Sequence, residues 1–328
     1  MLELRSKKHL MDNTTKSSTK IKKKKLYSKY FRENLEYMLM VAPGFILTFI
    51  FSYIPMFGII VAFKNIDYKK GIFGSPWVGF ENFKFLFQFP DVKIIVRNTI
   101  GYNLVFIVLG IIVPVTFAII LNQIRNKLAS KFYQTVMFLP YFLSWIIVSY
   151  IVYAFLAFDL GLVNRTILAP LGIQPIEWYG KPEYWPFIIV FLHMWKTTGY
   201  SSVVYLAAIT GIDHELYEAA AIDGATKRQQ TFYITIPSIS TIIIIMLILA
   251  IGKILSADFG LFFNVPLEQG RLLPVTNVID TFVFRALRIN GDIAMSSAAG
   301  LLKSVIGFFL VMVTNKIVKR YDDSKALY

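Results

Sequence analysis

The sequence predicts an all-α membrane protein with six transmembrane helices and both ends on the cytosolic side. Of its 328 residues, 56% are hydrophobic and 16% aromatic, a composition too apolar for a soluble domain of this size. Several segments exceed the ~20 apolar residues that cross a bilayer. With the segments between them assigned alternately to the two sides, about 20 Lys and Arg fall on the cytosolic side and about 10 outside, as the positive-inside rule requires.

The net charge of +14 does not call for nucleic acid, because about a third of the Lys and Arg precede residue 33, ahead of the first span. The absence of cysteine excludes a disulfide framework, thiolate chemistry and a Cys-based metal site.

Residues 1–37 read as a basic cytosolic tail, densest at Lys22, Lys23, Lys24 and Lys25. The apolar segment that follows is longer than the 7–15 residues of a signal peptide, so the tail is expected to be retained and to face anionic lipid. The first span, 38–63, contains Pro43 and Pro55, tolerable where neighbouring helices satisfy the freed carbonyls. In 64–93, Trp77, Phe80, Phe83, Phe85, Phe87 and Phe89 alternate with lysines, the pattern of an interfacial segment at the outer leaflet. Span two covers 94–121, and Arg125, Lys127 and Lys131 mark a cytosolic link. Span three, 133–158, holds Pro140 and Trp145; an outer loop with Trp178 and Tyr179 leads to span four, 185–209. Span five is 238–257, a long outer loop is 258–296, and span six is 297–318, before a cytosolic tail, 319–328. The membrane domain is therefore 38–318.

Residues 210–237 are the longest polar interruption in the second half, and the topology puts them in the cytosol. Asp213 can cap a helix, with Ile212 and Tyr217 placed as a hydrophobic staple. Ala219, Ala220 and Ala221 favour helix and leave a smooth face that a partner backbone can approach. Gly224 supplies a turn or a close contact. A second helical stretch, 225–233, leads to Pro237 at the start of the next membrane helix.

The order Glu218-Ala219-Ala220, then Asp223-Gly224-Ala225, then Ile234-x-Ile236-Pro237 resembles the EAA loop of permease subunits from binding-protein-dependent ABC importers. Relatives carry Pro where His214 stands and Leu where Ile236 stands. The resemblance extends to Ile54-Pro55-Met56-Phe57-Gly58, Ala62-Phe63-Lys64, the segment from Ser75 to Phe83, Arg97-Asn98-Thr99, Val278-Ile279-Asp280-Thr281 and Gly300-Leu301-Leu302-Lys303-Ser304, which are similar to the LplB-type carbohydrate permeases, relatives of the larger maltose-importer permease. It implies the MetI-like permease fold, with Glu218, Ala219, Ala220, Asp223, Gly224 and Ala225 forming the coupling helix that docks on a cytosolic ATPase. It also implies a second permease, two ATPase copies that would hold ATP and Mg, an extracellular sugar-binding lipoprotein, a bacterial plasma-membrane location and an oligosaccharide substrate.

The chain has no phosphate loop of its own: Gly180-Lys181 and Gly252-Lys253 are followed by Pro182 and Ile254, not a hydroxyl residue. His9, His193 and His214 have no metal-ligand spacing, so neither a metal nor a catalytic residue is expected. Intramembrane cations remain, and such residues are costly and face a cavity or the bundle interior. Lys253 and Lys303 lie about six residues from the outer ends of their spans, ~9 Å, and Lys196 about eleven, ~16 Å. No carboxylate is placed within the spans to pair with them. Each lysine can snorkel or bond helix carbonyls, or donate to sugar hydroxyls or an acidic sugar. Trp195, Tyr200 and Trp145 are candidate aromatic faces for the sugar ring beside Lys196; the aromatics of 64–93 could form another. An ion-coupled secondary transporter would be expected to carry intramembrane acids or broken inverted repeats, neither visible here; a permease for a non-sugar solute stays open.

Overall fold

The computed structural model describes residues 34–35, 37–84 and 91–327. Most of the predicted basic tail, with His9, and Phe85, Phe87 and Phe89 lie outside them. Among the described residues the regular structure is helical, apart from one antiparallel bridge between Lys64 and Trp77. Residues up to Ile60 form one unit and Val61–Tyr328 a second.

Helix α1 (Tyr37–Phe63) opens as α-helix, widens to a π turn over Phe49–Tyr53 and tightens to 3-10 geometry over Ile54–Phe63. Pro55 sits at the change, where its missing N–H and its ring disturb the ladder. In the second unit, Phe63, Phe80 and Phe83 pack edge-on and tilted against one another at 5.5–5.6 Å. Lys64 is buried there and donates to the Ile72 and Phe73 carbonyls, both at 2.9 Å.

The remaining long elements are α2 (Val92–Gln123), α3 (Lys127–Phe142), α4 (Trp145–Leu156), α5 (Trp185–Thr210), α6 (His214–Ile222), α7 (Lys227–Ser238), α8 (Ser240–Gly252), α9 (Phe259–Asn264), α10 (Ile279–Asn290) and α11 (Ile293–Tyr321). Helices α1, α2 and α11 are each long and apolar enough to cross a bilayer, and the bent pairs α3/α4 and α7/α8 raise that number to five. Helix α5, with 26 residues or about 39 Å of length, is long enough but carries His193, Lys196, Thr197, Thr198, Ser201 and Ser202.

Two expected spans are not single helices. The segment expected at 133–158 breaks at residues 143–144 with a 98° bend. Pro140 lies in the last turn of α3, and Ser144 caps α4 through the Ile147 amide at 3.3 Å, so each half has its own terminus. The segment expected at 238–257 bends by 58° at Ile239 and ends its helix at Gly252, because Lys253–Leu255 turn away. The outer segment 258–296 is not an open loop: Asp258 caps α9, and α10 ends at Gly291 with φ 67° before Asp292 caps α11.

Helices α2 and α5 pack along each other and carry two apolar clusters. One joins Tyr102 and Phe106 to Val148, Ile189, Leu192, Leu261 and Phe262; the other joins Val115, Ala118 and Leu121 to Tyr205, Leu206, Ile209 and Ile239. Small residues set two backbone approaches: a Cβ on Gly199 would meet the Met137 carbonyl, and one on Gly307 the Gly252 carbonyl.

Candidate functional site

The polar element 210–237 forms as its local sequence requires. The Asp213 carboxylate accepts the Glu215 amide at 3.0 Å and starts α6. Helix α6 ends at a left-handed Gly224, φ 81°, around which a Cβ would meet nothing within 4 Å; the glycine makes a turn rather than a contact within this chain. The second helix begins two residues later than expected, at Lys227, with a capping box between Thr226 and Gln229. Ile212 packs into the lower cluster, and the Tyr217 hydroxyl bonds Thr235 Oγ1 at 2.9 Å. Helix α6 is thus tied at its start to α5 and along its length to α7. Its other face is open: Glu218, Ala219, Asp223 and Gly224 are exposed, and Ile222 is 86% exposed.

Between the two apolar clusters, α2, α5, α8 and the segment after α8 line an open-sided cavity of about 680 Å³. Its wall includes Asn103, Phe106, His193, Tyr200, Lys253 and Asp258. Asn103 reaches across to the Ile254 carbonyl at 2.8 Å. His193 stacks on Phe106 at 3.8 Å, and its Nδ1 has no partner among the described residues. Lys253 lies just past the end of α8, and among the described residues its ammonium makes no hydrogen bond or ion pair. This wall combines aromatic rings with the Lys253 ammonium, while the His193 Nδ1 is itself buried; ring and cation together suit a polyhydroxylated ligand.

The other candidates are distributed around this cavity. Lys196 donates to the carbonyls of Pro140 (3.3 Å), Tyr141 (2.8 Å) and Leu143. Tyr200 stacks on Tyr141 at 4.6 Å. Trp145 donates to the Asp258 carboxylate at 2.8 Å. Trp195 does not line the cavity; it is 37% exposed and about 140° around α5 from Tyr200. Lys303 pairs with Asp280, which also accepts the Ala257 amide at 2.7 Å. That carboxylate comes from α10, outside the assigned spans, in the stretch expected to be an outer loop, and it gives Lys303 a partner that neither expected reading of this lysine named. No group of acidic, His or Cys side chains among the described residues could hold a metal ion.

Comparison with known proteins extends these observations over nearly the whole chain. It is 35% identical over 304 residues to the polygalacturonan/rhamnogalacturonan transport system permease protein YteP of Bacillus subtilis, covering 93% of this chain and 94% of that one. It is 34% identical over 291 residues to protein LplB of the same organism, covering 89% and 90%. Among solved structures it is similar to a bacterial ABC transporter involved in the import of the acidic polysaccharide alginate, with TM-score 0.81, 31% identity and coverage of 90% of this chain and 98% of that one. A second structure, of an alginate transporter in complex with an alginate pentasaccharide-bound periplasmic protein, gives TM-score 0.79 and 30% identity over 89% and 97%. The family model for binding-protein-dependent transport system inner membrane components matches residues 106–322, and the chain belongs to that family.

Proposed function

We propose that this chain is the translocating subunit of a plasma-membrane importer for acidic oligosaccharides, crossing the bilayer six times with both ends in the cytosol. The observation that carries the reading is the cavity wall of Tyr200 and Lys253, whose ammonium has no partner among the described residues, in a chain similar to a polygalacturonan/rhamnogalacturonan permease and to an importer of the acidic polysaccharide alginate. Tyr200 would pack on a pyranose ring, and Lys253 would attract a carboxylate. The chain performs no covalent chemistry. Its partners are a second permease, two cytosolic ATPases binding ATP and Mg, and an extracellular binding lipoprotein that delivers the sugar to the outer segments.

The connections of α6 give the mechanism. An ATPase gripping its exposed face would move α5 through Ile212 and α7 through the Tyr217–Thr235 bond. Helix α5 is one wall of the cavity, and α7 continues into α8, another wall. A rigid displacement of α6 would therefore shift two walls together, turning an outward-facing cavity inward. The test is purification of the tagged chain from its own membranes, followed by ATPase and uptake assays with galacturonate oligomers and the binding protein. Recovery of an ATPase and sugar-stimulated hydrolysis support the proposal. A chain recovered alone refutes the importer reading, and stimulation by a small phosphate ester but no sugar refutes the substrate class.

A further inference from the structure

We propose that Lys196 is a positioning residue: its ammonium closes the break between α3 and α4, and this cage fixes the wall of the translocation cavity. The inference rests on the reading of that cavity as the sugar path.

At the break the carbonyls lose the regular helical ladder, Pro140 keeping the Leu143 amide at 3.2 Å; with α3 and α4 read as one broken span, no water replaces the lost donors cheaply. A lysine ammonium has three donors and no acceptor. Lys196 directs them at Pro140, Tyr141 and Leu143, and its charge faces the rings of Tyr141 at 5.6 Å and Trp145 at 5.3 Å. The cation is thereby solvated by the broken helix, and no donor is left over for a sugar. Two further contacts hold the joint in register. Gly199, one turn along α5, meets the Met137 backbone of α3 without room for a Cβ, and Gly260 does the same against the Trp145 ring.

Both rings beside the cation lead into the cavity. Tyr141 stacks face to face with Tyr200, at 11° between planes, and Trp145 Nε1 holds Asp258 at 2.8 Å. Tyr200 and Asp258 line the cavity, and Lys196 does not. Lys196 therefore acts through the two rings, and its role does not depend on the charge of the transported sugar.

The absence of cysteine from the chain makes a direct measurement available. Spin labels on Y133C and Y150C, exposed positions on either side of the break, report the bend as a distance distribution in the purified complex. In the Lys196→Met variant the distribution is expected to broaden or shift, and uptake of a galacturonate tetramer and of its neutral methyl ester to fall by the same factor, about tenfold for loss of charge-assisted bonds. Lys196→Arg, which keeps a cation with several donors, is expected to restore the distribution. Should the Met variant fail to assemble, Lys196→Gln keeps two donors without the charge and is expected to show a milder form of both effects. An unchanged distribution with a loss confined to the charged sugar would make Lys196 a substrate contact and overturn the proposal. A changed distribution with full uptake would also overturn it, by separating the bend from transport. Failure of the wild-type complex to take up either sugar would count against the acidic-oligosaccharide reading, while the distances would still judge the cage.

Discussion

Replacing Asp280 tests a three-way joint between α10, α11 and the segment after α8. Its carboxylate pairs with Lys303 on α11 and accepts the Ala257 amide beyond α8, so one side chain of α10 ties three elements. The pair is largely enclosed, with side-chain exposures of 21% for Asp280 and 15% for Lys303. An exposed pair is worth about 0–1 kcal/mol, whereas removing one partner of a buried pair costs ~3–5 kcal/mol; this environment lies between. Asp280→Asn keeps an acceptor for the Ala257 amide and strands only the Lys303 charge, so a loss of about 2 kcal/mol is expected. Asp280→Ala also gives up a charge-assisted bond of ~1.5–3 kcal/mol, bringing the total to about 4 kcal/mol. Lys303→Met leaves the carboxylate held by the amide and should cost less than Asp280→Ala. The double variant Asp280→Asn with Lys303→Met should be more stable than the sum of the singles by about 1–2 kcal/mol. Unfolding of the purified subunit by SDS in mixed micelles measures each value. If Asp280→Asn matches the wild type and the double variant is additive, the joint contributes nothing.

Gly224→Leu forces a side chain into a left-handed backbone at a strain of ~1–2 kcal/mol; the subunit should still insert, with ATP hydrolysis detached from uptake, and normal uptake would remove α6 from the coupling role. Gly199→Ala pushes a methyl group into the Met137 carbonyl and should destabilise the α3–α5 contact by about 1–3 kcal/mol, read in the same SDS titration. Lys253→Met should raise the KM for a galacturonate oligomer at least fivefold while leaving its methyl ester nearly unchanged, since its ammonium has no partner to release among the described residues; equal effects on both sugars would make Lys253 structural.

What was legible in the sequence was local. Asp213, the alanine run and Gly224 specify a capped helix and a left-handed turn within about a dozen residues, and the limits of α2 and α11 follow from apolar composition. The break between α3 and α4 was not legible, because Pro140 sits in an apolar window that reads alike for straight and bent helices. The side chain that stabilises the bend is Lys196, separated from Tyr141 by 55 positions. Asp280 was hidden for a related reason: it belongs to a stretch that looks like an outer loop, and only folding brings it to Lys303, 23 positions on. Trp195 and Tyr200 are close in sequence, yet helical geometry sends only Tyr200 to the cavity.

The polar character of α5 bears on how the protein is made. Lys196 alone disfavours insertion of a helix centre by ~2.5–3.5 kcal/mol, and His193 with four hydroxyl residues adds to that. Helix α5 is therefore a poor candidate for release from the translocon into lipid as an isolated segment. The groups that solvate it, the Pro140–Leu143 carbonyls and the α2 face that carries Phe106, are synthesised earlier. Biogenesis should accordingly be ordered, with α2 to α4 held beside the translocon until α5 emerges and the four helices leave together.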